Sequence, residues 1–412
     1  MKSLNPMPNK SQRRKLDLLI EGKIYHSGEI IEAYLGVSEG KIAGIWISGE
    51  FEYNEKRTLE EKEVALPGMV DIHVHMRGLE QSYKEDWSSG TEAALRGGVT
   101  AILDMPNNRP WIRDEEILMR KLEEAKSMAL VDYGLYFGVP SSASELDKVK
   151  DLVVGIKIYP EDISAGLDPI LQRARELGLF TVFHAEIDGD ETRGISTVMR
   201  FIERYGGHIT HISSADGVRL VLNAKTHGVE VSMDTCPHYI WLTEESVDWR
   251  GYVRPRIKSS MDRDVIRSSV KHSLFDAIST DHAPHTEEEK KSGSTGIPGL
   301  ETALPLLFTS VYSGEFPLKT LDLYSRNPAK IFGMKKGCFL PGNDADIVIY
   351  RYSDRRRIKG SDFSSKAKFT PFEGFEVVGG VSSVYIRGLL ALDEGELKVP
   401  RGFGKLITRR RN

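Results

Sequence analysis

His73 and His75 lie two residues apart in Gly68-Met69-Val70-Asp71-Ile72-His73-Val74-His75-Met76-Arg77, where apolar and polar side chains alternate. Side chains two apart on a strand share a face, so the two imidazoles point the same way at the end of a buried strand. Such a pair can hold a divalent metal, although His-x-His alone is a weak signal. Four more reactive residues, Lys157, His184, His211 and Asp281, also fall at the ends of apolar runs. Imidazole and carboxylate ligands suit zinc-like ions. Two ions need a bridge, and a buried lysine can supply one. Burial depresses its pKa and favours the neutral amine, which reacts with CO2 to give an anionic, bidentate carbamate. Metal binding lowers the pKa of water towards neutrality, which supplies a hydrolytic nucleophile. Asp281 could then accept a proton as general base and return it to a leaving nitrogen. Each residue also has a plainer reading. A strand-end histidine is more often a hydrogen-bonded structural residue, Lys157 could be a rim amine, and Asp281 could cap a helix before Pro284. Four histidines, a lysine and an aspartate all at strand ends make the joint accident much weaker than any single one.

These residues need a scaffold that gathers strand ends. Apolar runs at 68–77, 99–104, 133–137, 152–158, 180–184, 209–212, 229–234 and 277–281 alternate with amphipathic stretches such as 115–128 and 170–177, whose apolar spacings of three and four are helical. Eight strand-plus-crossover units predict an α/β fold, a (β/α)8 TIM barrel with its reactive groups at the C-terminal strand ends. A doubly wound sheet is the competing arrangement, because periodicity alone does not close a barrel. Residues 16–66 and the far end, including 346–350 and 381–386, read as short strands and turns. Each is too small for a good core alone. The expectation is one small β-sandwich made by both termini, residues 1–67 plus 336–412, around a barrel of residues 68–335.

With 412 residues, 28% charged, 40% hydrophobic and a net charge of −4, the chain is ordinary globular material. It has no electrostatic footprint for nucleic acid and no apolar run long enough to span a membrane. Two cysteines, Cys236 and Cys338, are too few for a disulfide framework and fit a reducing cytoplasm. Cys236 reads as a buried thiol. Residues 1–15, polar and basic without a signal-peptide core, read as a frayed end, and Arg409-Arg410-Arg411 as a solvated one.

Five motifs carry a resemblance. They are His73-Val74-His75-Met76-Arg77; Asp104-Met105-Pro106-Asn107-Asn108-Arg109-Pro110; Gly155-Ile156-Lys157-Ile158-Tyr159; His208-Ile209-Thr210-His211-Ile212-Ser213; and Thr280-Asp281-His282-Ala283-Pro284-His285-Thr286. With Cys236-Pro237-His238-Tyr239 and Gly296-Ile297-Pro298-Gly299-Leu300-Glu301-Thr302, the chain resembles the dihydroorotases of the amidohydrolase superfamily over nearly its whole length. The resemblance implies a pair of Zn2+ ions held by His73, His75, His184, His211, Asp281 and Lys157 as N6-carboxylysine. It implies that Arg77, Asn107 and His285 grip the substrate, with Arg254 a looser match. The implied activity is reversible hydrolysis of (S)-dihydroorotate to N-carbamoyl-L-aspartate, a step of pyrimidine synthesis in the cytoplasm. A homodimer and an association with aspartate transcarbamoylase are the partners it allows. Read from the residues alone, Arg77 could be a loop arginine and Asn107 a turn residue after Pro106. The competing functions are another cyclic amidase, a dihydropyrimidinase or allantoinase, and a non-catalytic scaffold for a transcarbamoylase. Filled ligand positions argue against the scaffold. One departure stands out: Gly78-Leu79-Glu80 replaces the acidic-Pro-Gly that commonly follows the family arginine, so the first loop should take its own shape. Glu287–Lys291 is expected to face solvent, and 292–299 to form a mobile loop over the site.

Overall fold

The computed structural model describes residues 15–164 and 166–408. The polar start, except Lys15, and the triple arginine near the C-terminus lie outside the described residues. Five strands come first: β1 (Leu16–His26), β2 (Glu29–Ser38), β3 (Lys41–Trp46), β4 (Tyr53–Thr58) and β5 (Glu63–Pro67). Eight more follow: β6 (Met69–Val74), β7 (Val99–Asp104), β8 (Asp132–Phe137), β9 (Gly155–Ile158), β10 (Phe180–Phe183), β11 (Gly207–Ile209), β12 (Val231–Thr235) and β13 (Ala277–Ile278). These eight pair in parallel and in unbroken chain order. A doubly wound sheet would reverse that order at a switch point. Here the ring closes instead: Val74 bridges His282, and the His75 amide donates to the His282 carbonyl at 2.7 Å.

The barrel strands are covered on both faces, which is why they read as nearly continuous apolar runs. In β7, Ala101 and Leu103 join one buried apolar cluster while Ile102, between them, joins another. Crossover helices start where a polar side chain satisfies free amides. Asp86 accepts from the Ser88 and Ser89 amides to start helix Trp87–Arg96, and Asp114 accepts from Ile117 to start helix Glu115–Met128. The stretch predicted at 170–177 forms helix Leu167–Glu176.

The chain ends with β14 (Ile347–Arg357), β15 (Glu376–Ile386), β16 (Leu389–Asp393) and β17 (Glu396–Leu397). Together with β1 to β5 they form one mixed nine-stranded sheet, ordered β17-β16-β15-β14-β5-β1-β2-β3 with β4 on β1. The two chain ends meet in the antiparallel β5–β14 ladder, from Pro67 opposite Ile347 to Glu63 opposite Arg351. Leu18, Ile20 and Leu35 from one end and Ile347 and Ile349 from the other share a core separate from the barrel's. Among the described residues no helix is long and apolar enough to cross a membrane.

Candidate active site

The strand ends bring the predicted residues together. His73 belongs to β6 and Lys157 to β9. His75 and His184 immediately follow β6 and β10. His211 lies two residues past β11 and Asp281 three past β13, each in the left-handed region at φ 47° and φ 49°. The apolar run 209–212 therefore leaves the strand earlier than its composition suggests, and the turn aims His211 inward. Asp281 caps no helix. Its Oδ1 is 3.1 Å from His75 Nε2 and 3.4 Å from His73 Nε2, and one donor atom from each of these residues lies within 4.8 Å of the others. The His73 and His211 ring centres are 5.2 Å apart, and those of His184 and His211 4.5 Å.

Hydrogen bonds fix which ring nitrogens face inward. His75 Nδ1 is 2.6 Å from the Asn107 amide oxygen. That oxygen only accepts, so Nδ1 carries the hydrogen and the Nε2 lone pair faces Asp281. His73 Nδ1 is 2.6 Å from Thr210 Oγ1, which itself donates to Asp234 at 3.1 Å, so His73 is oriented in the same sense. Asp234 also accepts from the His211 amide at 2.7 Å and from Ser279 Oγ at 3.0 Å. Burial holds the His73 and His211 pKa values well below the usual range, and the nearby Lys157 amine adds to the effect. Burial, then Lys157 and Arg254, push His184 down to about 3. Lys157 itself is fully buried and brought down to about 7 by burial.

His73, His75 and Asp281 fit a metal ion. Neutral imidazole lone pairs converge with a carboxylate that faces them as a second acceptor. Lys157 Nζ and His211 Nδ1 are buried without any hydrogen-bond partner, a rare condition for buried polar groups. Both atoms are free to take a ligand.

Above the strand ends lies a cavity of about 550 Å3 lined by Arg77, Asn107, Arg254 and His285 as well as the histidines. Arg77 is buried, its Nε donates to the Pro284 carbonyl at 3.2 Å, and its Nη2 lies 3.1 Å from His285 Nε2. Its left-handed backbone, φ 51°, is held from behind. The Arg77 carbonyl accepts from Asn108 Nδ2 and from the buried Lys121 ammonium, which also pairs with Asp104 at 3.1 Å. Asn107 has committed its oxygen to His75, so its amide NH2 remains for a ligand. Arg254 is half-exposed and its Nε donates to Glu186 Oε1 at 3.2 Å. The first loop, where the family pattern breaks, is tied to a helix: the Leu79 amide donates to Glu124 at 3.0 Å.

Residues Gly293, Ser294, Thr295 and Gly296 line the cavity. The preceding charged run meets expectation only in part, with Glu287, Glu288 and Lys291 exposed to solvent and the other two residues turned inward. It forms a short helix, Glu287–Lys291, with Lys290 buried and its amine donating to the Tyr252 carbonyl at 2.5 Å. Glu289 faces inward, 2.9 Å from Lys84. Anchoring to the barrel top outweighs solvation there. Sequence reasoning also missed Thr210, Asp234, Lys84 and Tyr159, whose ring stacks on His184 at 6.3 Å. Asp234 offered a signal, a carboxylate near the end of a buried run. Cys236 is a buried thiol, as read from the sequence.

The amidohydrolase family model matches residues 64–390. A dihydroorotase of Pyrococcus furiosus is 33% identical over 400 residues, covering 94% of this chain and 95% of that protein. The multifunctional protein CAD of Squalus acanthias is 33% identical over 364 residues, which is 84% of this chain and 16% of CAD. Among solved structures, an L-hydantoinase (dihydropyrimidinase) from Arthrobacter aurescens superposes with a TM-score of 0.90 at 27% identity, over 96% of this chain and all of that one. The chain belongs to the amidohydrolase family, on the branch that the dihydroorotases occupy.

Proposed function

We propose that this protein is a dihydroorotase, a hydrolase of cyclic amide C–N bonds that interconverts (S)-dihydroorotate and N-carbamoyl-L-aspartate in pyrimidine synthesis. The observation that carries the substrate is the buried Arg77, whose guanidinium reaches the cavity beside His285. A planar fork matches a ring carboxylate through paired hydrogen bonds. A buried guanidinium without an anionic partner would be a costly feature for an uncharged ring. The dihydroorotase relatives support the same choice. Two zinc ions, held by His73, His75, His184, His211, Asp281 and Lys157 as a carbamate, would polarise the ring carbonyl and activate water.

The protein's own groups do the rest. Arg77 and His285 orient the ring by its carboxylate, and the Asn107 amide hydrogens reach the same group. Asp281 takes up the water proton and returns it to the departing ring nitrogen. In ring closure the same steps run backwards. Tyr159 and the 293–296 loop narrow the access of bulk water. The site would work in a cytoplasmic enzyme whose barrel spans 68–335 and whose terminal domain spans 1–67 plus 336–412. Homodimer formation and association with aspartate transcarbamoylase are further parts of this reading, and the likeness to a segment of a multifunctional protein supports the second.

A second reading, a hydantoinase or dihydropyrimidinase, is favoured by the L-hydantoinase likeness. Assays of the zinc-loaded protein with dihydroorotate, dihydrouracil and hydantoin separate the two. Turnover of dihydroorotate well above the others is expected, and activity confined to the uncharged rings rejects the proposal.

A further inference from the structure

His285 has two partners on each ring nitrogen. Nε2 is 3.1 Å from Arg77 Nη2, a donor, and 3.0 Å from the Thr295 carbonyl, an acceptor. Nδ1 is 3.2 Å from Glu289 Oε2, an acceptor, and 3.3 Å from Lys84 Nζ, a donor. Burial, with the charges of Arg77 and Lys84, pushes the His285 pKa down to about 3 despite Glu289. The imidazole is therefore neutral and has one N–H to place.

Only two self-consistent arrangements exist. In one, Nδ1–H donates to Glu289 and Nε2 accepts from Arg77. In the other, Nε2–H donates to the Thr295 carbonyl at the cavity wall and Nδ1 accepts from Lys84. A carboxylate ligand on the Arg77 fork needs donors, so it calls for the second arrangement. Lys84 is the group that makes that arrangement possible. It is nearly buried, lines the cavity, and is steered by Glu289 Oε1 at 2.9 Å, which also accepts from Tyr83 at 2.9 Å. It comes from the first loop, and Glu289 from the short helix over the site.

We propose that Lys84, steered by Glu289, is a positioning residue for carboxylate recognition: it donates to His285 Nδ1 and so keeps the hydrogen on Nε2, where the substrate carboxylate can take it over from the Thr295 carbonyl. This rests on the dihydroorotase reading and assigns that substrate's selection in part to a residue that need not touch it.

The test compares zinc-loaded wild type with Lys84→Met and Lys84→Arg, each checked for metal content and melting temperature. Lys84→Met should raise KM for dihydroorotate by about tenfold or more, with kcat within about threefold. Lys84→Arg, which keeps a donor, should recover most of the loss. The 15N resonances of His285, assigned with His285→Gln, should show Nδ1 unprotonated in wild type bound to N-carbamoyl-L-aspartate and protonated in Lys84→Met. An unchanged KM in Lys84→Met, or a protonated Nδ1 in liganded wild type, overturns the inference while leaving the function intact. Wild type without dihydroorotate turnover overturns both.

Discussion

Lys157 is fully buried, and its amine has no hydrogen-bond partner. A fully buried amine without a partner costs stability unless it is neutral or ligated. Its pKa near 7, set by burial, defines where it can react. Below pH 7 the amine holds its proton and cannot add CO2; above pH 7 it is neutral. Carbamate formation on metal-free protein, followed by 13C NMR at fixed dissolved CO2, should therefore set in at a distinctly lower pH than on an exposed lysine. An exposed lysine would titrate near 10.4. Lys157→Ala should lose at least one of two zinc equivalents, and a fully metallated, active Lys157→Ala protein would refute the carbamate bridge. Thr210 tests the support beneath. Thr210→Val removes the partner of His73 Nδ1, and loss of such a partner typically weakens metal binding by about 10–100-fold, readable by chelator competition. At this scale the ligand candidates were legible, because histidine, lysine and aspartate stand out at the ends of apolar runs. Thr210, Asp234 and the oxygen of Asn107 were not, because each acts on a residue from another strand, and a single chain of letters does not state those pairings.

Strand ends do more than carry side chains here. Arg77, His211 and Asp281 all adopt left-handed backbone, a conformation that costs of order 1–3 kcal/mol for residues other than glycine. Their turns re-aim side chains that a straight strand would send elsewhere, and the surrounding contacts hold them there. The neighbouring strands must then stay in register. β9 and β10 pair Gly155 with Phe180 and Lys157 with Val182, and a Cβ on Gly155 would overlap the Phe180 carbonyl oxygen. Gly155→Ala should cost about 1–3 kcal/mol and shift Lys157 relative to His184. The expected result is a lower melting temperature together with reduced zinc content, and an unchanged zinc stoichiometry would show that register is not what holds the pair. The strands and helix Glu115–Met128 were legible from period and length. The inward face of Glu287–Lys291 was not, because five charged letters describe solvation and say nothing of what the preceding turn docks against.

At the scale of the whole molecule, the terminal sheet and the barrel are joined by a buried charge cluster. Lys336 lies 2.7 Å from Asp132 of β8, 3.0 Å from Asp344 and 2.8 Å from Asp346, and Arg387 also pairs with Asp132. One ammonium thus holds three carboxylates from both units. Alternating apolar runs made the terminal sheet legible, and the shared core of Leu18, Leu35 and Ile347 agrees with them. Lys336 itself, in Lys335-Lys336-Gly337, reads as surface charge, since only the folded chain brings Asp132 to it. Removing one member of a buried ion cluster leaves uncompensated charge and typically costs about 3–5 kcal/mol. Lys336→Met should therefore lower the denaturant midpoint substantially. Burial already raises the Asp346 pKa even with Lys336 beside it. Without the ammonium, the folded-state pKa of the Asp346 carboxyl rises further above its unfolded value. Such a group stabilises the fold at low pH and withdraws that support as pH rises through its folded pKa. The deficit of Lys336→Met relative to wild type should consequently be larger at pH 8 than at pH 5. A deficit independent of pH would mean that lost packing of the lysine stem, and not repulsion among Asp132, Asp344 and Asp346, accounts for the destabilisation.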